Sequence, residues 1–115
     1  MIFYDFEVFK EDWLAVFIDV TKKKEYVIIN NPDELKALYE ANSKDIWVGY
    51  NNRHYDQYIF KGILLGMNPK RINDWIIVEK REGWQFSSAF NKVPMINYDV
   101  MPNPPVGLKT LEGFL

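Results

Sequence analysis

Residues 2–9, Ile2-Phe3-Tyr4-Asp5-Phe6-Glu7-Val8-Phe9, alternate between two kinds of position with a period of two, which predicts a β-strand. A polar turn at Lys10-Glu11-Asp12 leads into a second apolar, β-branched run, Trp13 to Val20. A second polar turn, Thr21 to Lys24, precedes a third strand, Glu25 to Asn30. Two short connections between three strands predict an antiparallel meander. Asn31-Pro32-Asp33-Glu34 then reads as a helix start: Asn as N-cap, Pro at the first helical position, acids in the first turn. Leu35, Leu38 and Tyr39 give that helix its apolar stripe as far as about Asn42. A short buried strand is expected over 45–50. A helix over about 55–65 follows, with Tyr55, Ile59, Phe60, Ile63 and Met67 inward and Gly66 as its C-cap. Asn68-Pro69 repeats the cap-and-proline start of a helix whose period runs through Ile72, Trp75, Ile76 and Glu79, closing near Gly83. Residues 84–93 carry no clear period. A strand is expected over 95–100, an extended Pro102–Pro105 loop after it, and a further helix from Gly107.

The order three strands, helix, strand, helix, helix, strand, helix predicts an α/β fold with a mixed sheet beginning in a three-stranded antiparallel meander. One hundred and fifteen residues form a single domain, with no internal repeat or low-complexity run. Such a chain buries about 65% of its unfolded surface. An apolar content of 48% and an aromatic content of 17% exclude intrinsic disorder. Net charge is −2 and the pI is near 5.4, which excludes a passive basic coat for nucleic acid. Any polyanion must therefore be met through metal ions or a local patch. With no cysteine, disulfides and thiolate sites are excluded, and a cytoplasmic setting is expected. The N-terminus shows no signal-peptide pattern, and no run reaches 18 apolar residues, so no membrane association is expected.

The alternation of the first strand changes this picture. Asp5 and Glu7, two residues apart, share a face about 6.6 Å apart along the strand, while Tyr4, Phe6 and Val8 take the other. Two like charges on a hydrophobic strand repel each other and resist burial, and a divalent cation would reverse that penalty. The bland counterpart is a solvated strand face. A second acidic landmark, Gly49-Tyr50-Asn51-Asn52-Arg53-His54-Tyr55-Asp56, lies where a strand ends and a helix begins. In open α/β sheets, ligand crevices form at such strand ends. Asp56 would lie in the helix's first turn and face that crevice, with Arg53, Asn51 and Asn52 as donors to phosphate or sugar. The bland reading of Asp56 is an acid favoured by the helix dipole. His54 reads as an exposed or capping residue.

Together these residues resemble the DEDD superfamily of 3′–5′ exonucleases, whose fold is the three-layer ribonuclease-H-like fold. Tyr4-Asp5-Phe6-Glu7 is similar to the family's first motif, Asp-x-Glu on the first strand of the meander. Asn51 or Asn52 followed by Tyr55-Asp56 is similar to its second motif. Tyr98-Asp99-Val100 looks like the strand that follows, and Gly107-Leu108-Lys109-Thr110-Leu111 like the helix leading to the third motif. The nearest likeness is to the N-terminal proofreading domain of a phage-type DNA polymerase, and it spans essentially the whole chain. Asp-x-Glu alone is common; both motifs in this element order carry more information.

The resemblance implies phosphodiester hydrolysis with two Mg²⁺ or Mn²⁺ ions about 3.5–4 Å apart, held by carboxylates because hard cations prefer oxygen. It implies that Asp5 bridges both ions. Glu7 would hold one and approach the terminal 3′-hydroxyl, and Asp56 would bind the second largely through water. Phe6 and Tyr55 would buttress the site or stack on a frayed base, with Asn51 and Asn52 also touching substrate. The partners implied are a single-stranded or frayed 3′ end of DNA and the polymerase domain of a longer parent chain, in a bacterial host's cytoplasm. The third motif, Tyr or His followed four residues later by Asp, does not occur after Gly107. Asp99 does not replace it by motif position. The expectation is a C-terminally truncated domain with weak or no activity and an apolar sheet face open to self-association as a homodimer. A non-catalytic interaction module of the same fold, or an exonuclease acting on RNA, remains open beside this reading.

Overall fold

The computed structural model describes residues 1–50 and 54–100. Five strands, β1 (Ile2–Val8), β2 (Trp13–Asp19), β3 (Lys24–Ile29), β4 (Ile46–Tyr50) and β5 (Ile96–Val100), form one mixed sheet in the order β3-β2-β1-β4-β5. The meander β1–β2–β3 is antiparallel, whereas β4 lies parallel to β1, and β5 parallel to β4. Three helices, α1 (Pro32–Ala41), α2 (Asp56–Leu64) and α3 (Pro69–Asn73), supply the crossovers. This is the α/β arrangement the apolar period predicts, with strand bounds shifted by no more than a residue or so.

Alternation sorts β1 as expected. Ile2, Tyr4 and Phe6 are buried, while Phe3 and Asp5 between them are half-buried and Glu7 is exposed. The buried set joins Ala15, Phe17, Ile28 and Trp47 from the other strands. Leu35 of α1, Ile59, Phe60 and Ile63 of α2, and Ile72 of α3 cover that face. Phe60 sits at the centre, its ring 5.1 Å from Trp47, 5.3 Å from Phe6 and 5.5 Å from Tyr4. The pairs with Trp47 and Tyr4 meet edge to face, which adds to the burial of their area. α2 and α3 approach closely at Gly62, where an added Cβ would lie 2.1 Å from Ile72 Cδ1. Among the described residues no helix packs on the opposite face. Val27, Ile29, Ile96 and Tyr98 there are between 46% and 61% exposed. The described layers are thus two. The segment expected to form a helix from Gly107 lies outside the described residues.

The helix punctuation follows local chemistry. The Asn31 side chain accepts from the Glu34 N–H at 3.1 Å and that of Asn68 from the Lys70 N–H at 2.9 Å, as caps should. Gly66, at φ 80°, ends α2: its own N–H donates to Ile63 O and the next, of Met67, to Gly62 O. That is the double bond of a glycine C-cap. The expected single helix to Gly83 is corrected. Regular winding stops at Asn73, a π-helical turn covers Asp74–Val78, and two 3₁₀ turns follow at Gly83–Gln85 and Ser88–Lys92. Lys80, not a glycine, takes the left-handed conformation at φ 54° where the chain leaves the turn. The Trp75 indole N–H donates to Glu82 O at 2.9 Å, and the Arg81 guanidinium stacks 4.5 Å above the Trp75 ring. Trp84 is 61% exposed.

Candidate metal-binding site at the fork of β1 and β4

The β1–β4 ladder ends at the pair Tyr4–Gly49. Among the described residues β1 has no further partner from β4, which leaves a fork at Phe6. The Asp56 carboxylate, on the first residue of α2, fills that fork: its Oδ1 accepts the Phe6 backbone N–H at 3.2 Å. Asp56 is only 3% exposed. A carboxylate at this depth needs donors, and a strand amide released by a diverging neighbour is one. The two acidic landmarks, 50 positions apart, therefore meet at Phe6, the residue between Asp5 and Glu7.

Asp5 and Glu7 share the open face and line a shallow cavity of about 160 Å³ with Phe3, Leu14, Val16 and Ile18. Burial against these apolar neighbours raises the Asp5 carboxyl above the usual carboxylate range. The Glu7 charge raises it further, and the Phe6 backbone opposes the shift. Tyr55, immediately before α2, is half-buried, and its hydroxyl donates to Asn73 Oδ1 at 2.5 Å. Its phenol is pushed well above its ordinary value, first by burial and then by the charges of Asp56, Asp5 and Asp74. Tyr55 thus stands within electrostatic reach of both acidic landmarks.

Not every expected residue takes its expected part. Phe6 cannot stack on a base: it is 3% exposed and wedged against Tyr4, Phe17 and Phe60, so its position allows only the buttressing role. Asn51 and Asn52 lie outside the described residues. His54 is exposed. Among the described residues no group of three or more carboxylate or imidazole side chains is gathered closely enough to hold a metal ion. Asp5, Glu7 and Asp56 approach one another through the backbone of Phe6 rather than as one cage. A larger cleft of about 530 Å³, between the β1–β2 turn and the start of α3, contains none of these residues.

Two features escaped the sequence. Asp19, buried at the end of β2, shapes the hairpin by accepting the Thr21 and Lys22 N–H groups, each at 3.1 Å. An Asp followed by polar turn residues was the available signal. Tyr4 donates its hydroxyl to Asn97 Oδ1 at 2.8 Å, from β1 to β5, and no local pattern marks that pair. No family model matches the chain, and no curated protein or solved structure is significantly similar to it. No helix among the described residues is long and apolar enough to cross a membrane.

Proposed function

We propose that this chain is a ribonuclease-H-like 3′–5′ exonuclease domain of the DEDD kind, of the sort that proofreads for a DNA polymerase. One observation carries the reading: Asp56 docks on the amide of Phe6, so the second acidic landmark closes on the first at the end of a parallel strand. The sheet order β3-β2-β1-β4-β5, with the meander first, agrees with such a fold. Asp5, Glu7 and Asp56 fit Mg²⁺ or Mn²⁺ by donor type, since all three are oxygen ligands. They also fit by electrostatics: burial and Glu7 already penalise ionised Asp5, and a cation would relieve that penalty. When bound, the ions would activate a water and neutralise the leaving 3′-oxygen. Asp5 and Glu7 would hold metal from the open face, Asp56 from the fork, and Phe6 and Tyr55 would keep these side chains in place.

The 115 residues contain no Tyr or His four residues before an Asp after Gly107, so a general base and a fourth carboxylate are not supplied by this sequence. Acid–base help alone is typically worth about 10²–10⁴-fold. The expected behaviour is metal binding with little or no hydrolysis. A Mn²⁺ titration by calorimetry, paired with 3′-labelled single-stranded DNA, tests both parts. Binding that disappears in Asp5→Ala supports the reading. No carboxylate-dependent binding at millimolar Mn²⁺ points instead to a non-catalytic interaction module, and preference for RNA over DNA in binding to an RNA-directed enzyme.

A further inference from the structure

Tyr4, Gly49 and Asp99 lie in one row across β1, β4 and β5: Tyr4 pairs with Gly49, and Gly49 with Asp99. Residues paired across a sheet point to the same face, here the one beneath α2. The row behind it is Ile2, Trp47 and Asn97. The Tyr4–Asn97 hydrogen bond therefore joins two strands that are not neighbours, running diagonally over β4. It crosses where β4 carries a buried glycine, the one residue that leaves the space above the strand clear for a tyrosine ring. Among the described residues Tyr4 is also the last of β1 paired with β4, so this bond sits at the crotch of the fork that Asp56 fills two residues further on.

We infer that Tyr4 and Asn97, bridging over Gly49, are positioning residues that fix the opening of the fork and thereby hold the Phe6 amide in place for Asp56. The inference rests on the proposed metal site for its purpose but not for its geometry. The ring of Tyr4 is locked by Phe6, Phe17, Trp47 and Phe60, leaving the hydroxyl as the adjustable end of a rigid lever. Among the described residues the Asn97 side-chain nitrogen is buried with no hydrogen-bond partner, so its carboxamide is held through the Tyr4 hydroxyl. That bond ties β5 to β1 across β4.

The test uses the whole 115-residue chain, labelled with ¹⁵N, and the variants Tyr4→Phe and Asn97→Ala. Asn97 stands half-exposed on an edge strand, so its truncation spares the aromatic core if Tyr4→Phe fails to fold. The first readout is hydrogen exchange of the Phe6 amide against reference amides in β2 and β3. The second is Mn²⁺ affinity from paramagnetic broadening at Asp5, Glu7 and Asp56. Expected are faster exchange at Phe6 alone and Mn²⁺ binding weakened by about tenfold, the lower end for residues that orient metal ligands. Asn97→Asp, which keeps an acceptor for the hydroxyl, should restore protection of Phe6. Phe6 exchange that follows the reference amides in both variants overturns the positioning role, even if wild type binds Mn²⁺. Wild type that ignores Mn²⁺ removes the metal site, while the Phe6 exchange still decides the positioning.

Discussion

The two faces of β1 are built from alternate residues of one seven-residue segment, yet they obey different rules. Tyr4 and Phe6 are almost wholly buried and touch aromatic rings from three other elements. Asp5 and Glu7, each next to one of them in sequence, look onto a shallow cavity with no described helix over it. The comparison teaches that strand period, not residue composition, divides the labour here. One face gives the strand a fixed place in the sheet, and the other spends that rigidity on holding two carboxylates that repel each other.

Substitutions on the two faces should separate them, beginning with the covered one. Phe60→Ala removes the central ring of the aromatic cluster and should cost about 3–5 kcal/mol in a denaturant titration. A loss below about 1 kcal/mol would show that the cluster packs less tightly than its ring distances imply. Next is the residue that links the faces. Asp56→Ala strands the Phe6 amide and should cost about 1–3 kcal/mol. Unchanged stability would mean that another donor or solvent reaches that amide.

The open face should respond with the opposite sign. Folded Asp5 holds its proton more tightly than the unfolded chain does, because burial and then Glu7 raise its carboxyl. The folded state therefore binds more protons, and stability falls as pH rises from the unfolded value, about 3.9, through the raised folded one. Asp5→Asn removes this loss. It should melt a few degrees above wild type at neutral pH and converge with it below the carboxylate range. Mn²⁺ should narrow the neutral gap by stabilising wild type alone, whereas a variant less stable at pH 7 would sink the argument. The smallest effect belongs to Glu7→Gln: the side chain is exposed, and the unfolding free energy should change by less than about 0.5 kcal/mol without metal. A larger loss would show that Glu7 makes a structural contact on the open face.

The comparison also marks where sequence reading succeeds. The period of two in β1 assigned the faces of all its residues from Tyr4 to Val8, and Asn31-Pro32, Asn68-Pro69 and Gly66 announced helix ends because caps and φ > 0 are local demands. Asp56 was placed at the crevice by its position after a strand. Its depth and its partner were not legible, because both depend on where β1 and β4 part. The stretch from Asp74 to Gly83 misled for a related reason. Its helix gives way to a π-helical turn, closed by the Trp75 indole reaching the Glu82 backbone carbonyl and Arg81 folding back over the indole, contacts with no periodic signature. Tyr4 was correctly turned inward, but its partner is 93 positions away and invisible to any local pattern.

That last separation has a consequence for how the chain comes together in time. The meander closes through turns of a few residues, so β1, β2 and β3 can pair as soon as they exist, with Asp5 and Glu7 already side by side. The parallel partners β4 and β5 must wait for long crossovers, and the entropy of closing those loops comes before any contact repays it. On a ribosome the N-terminal carboxylates would thus be arranged many residues before Asp56 can reach Phe6, and the Tyr4–Asn97 bond would form only once β5 had emerged. Completion of the site then becomes a late event in folding, one that reports that the sheet has closed in the right order.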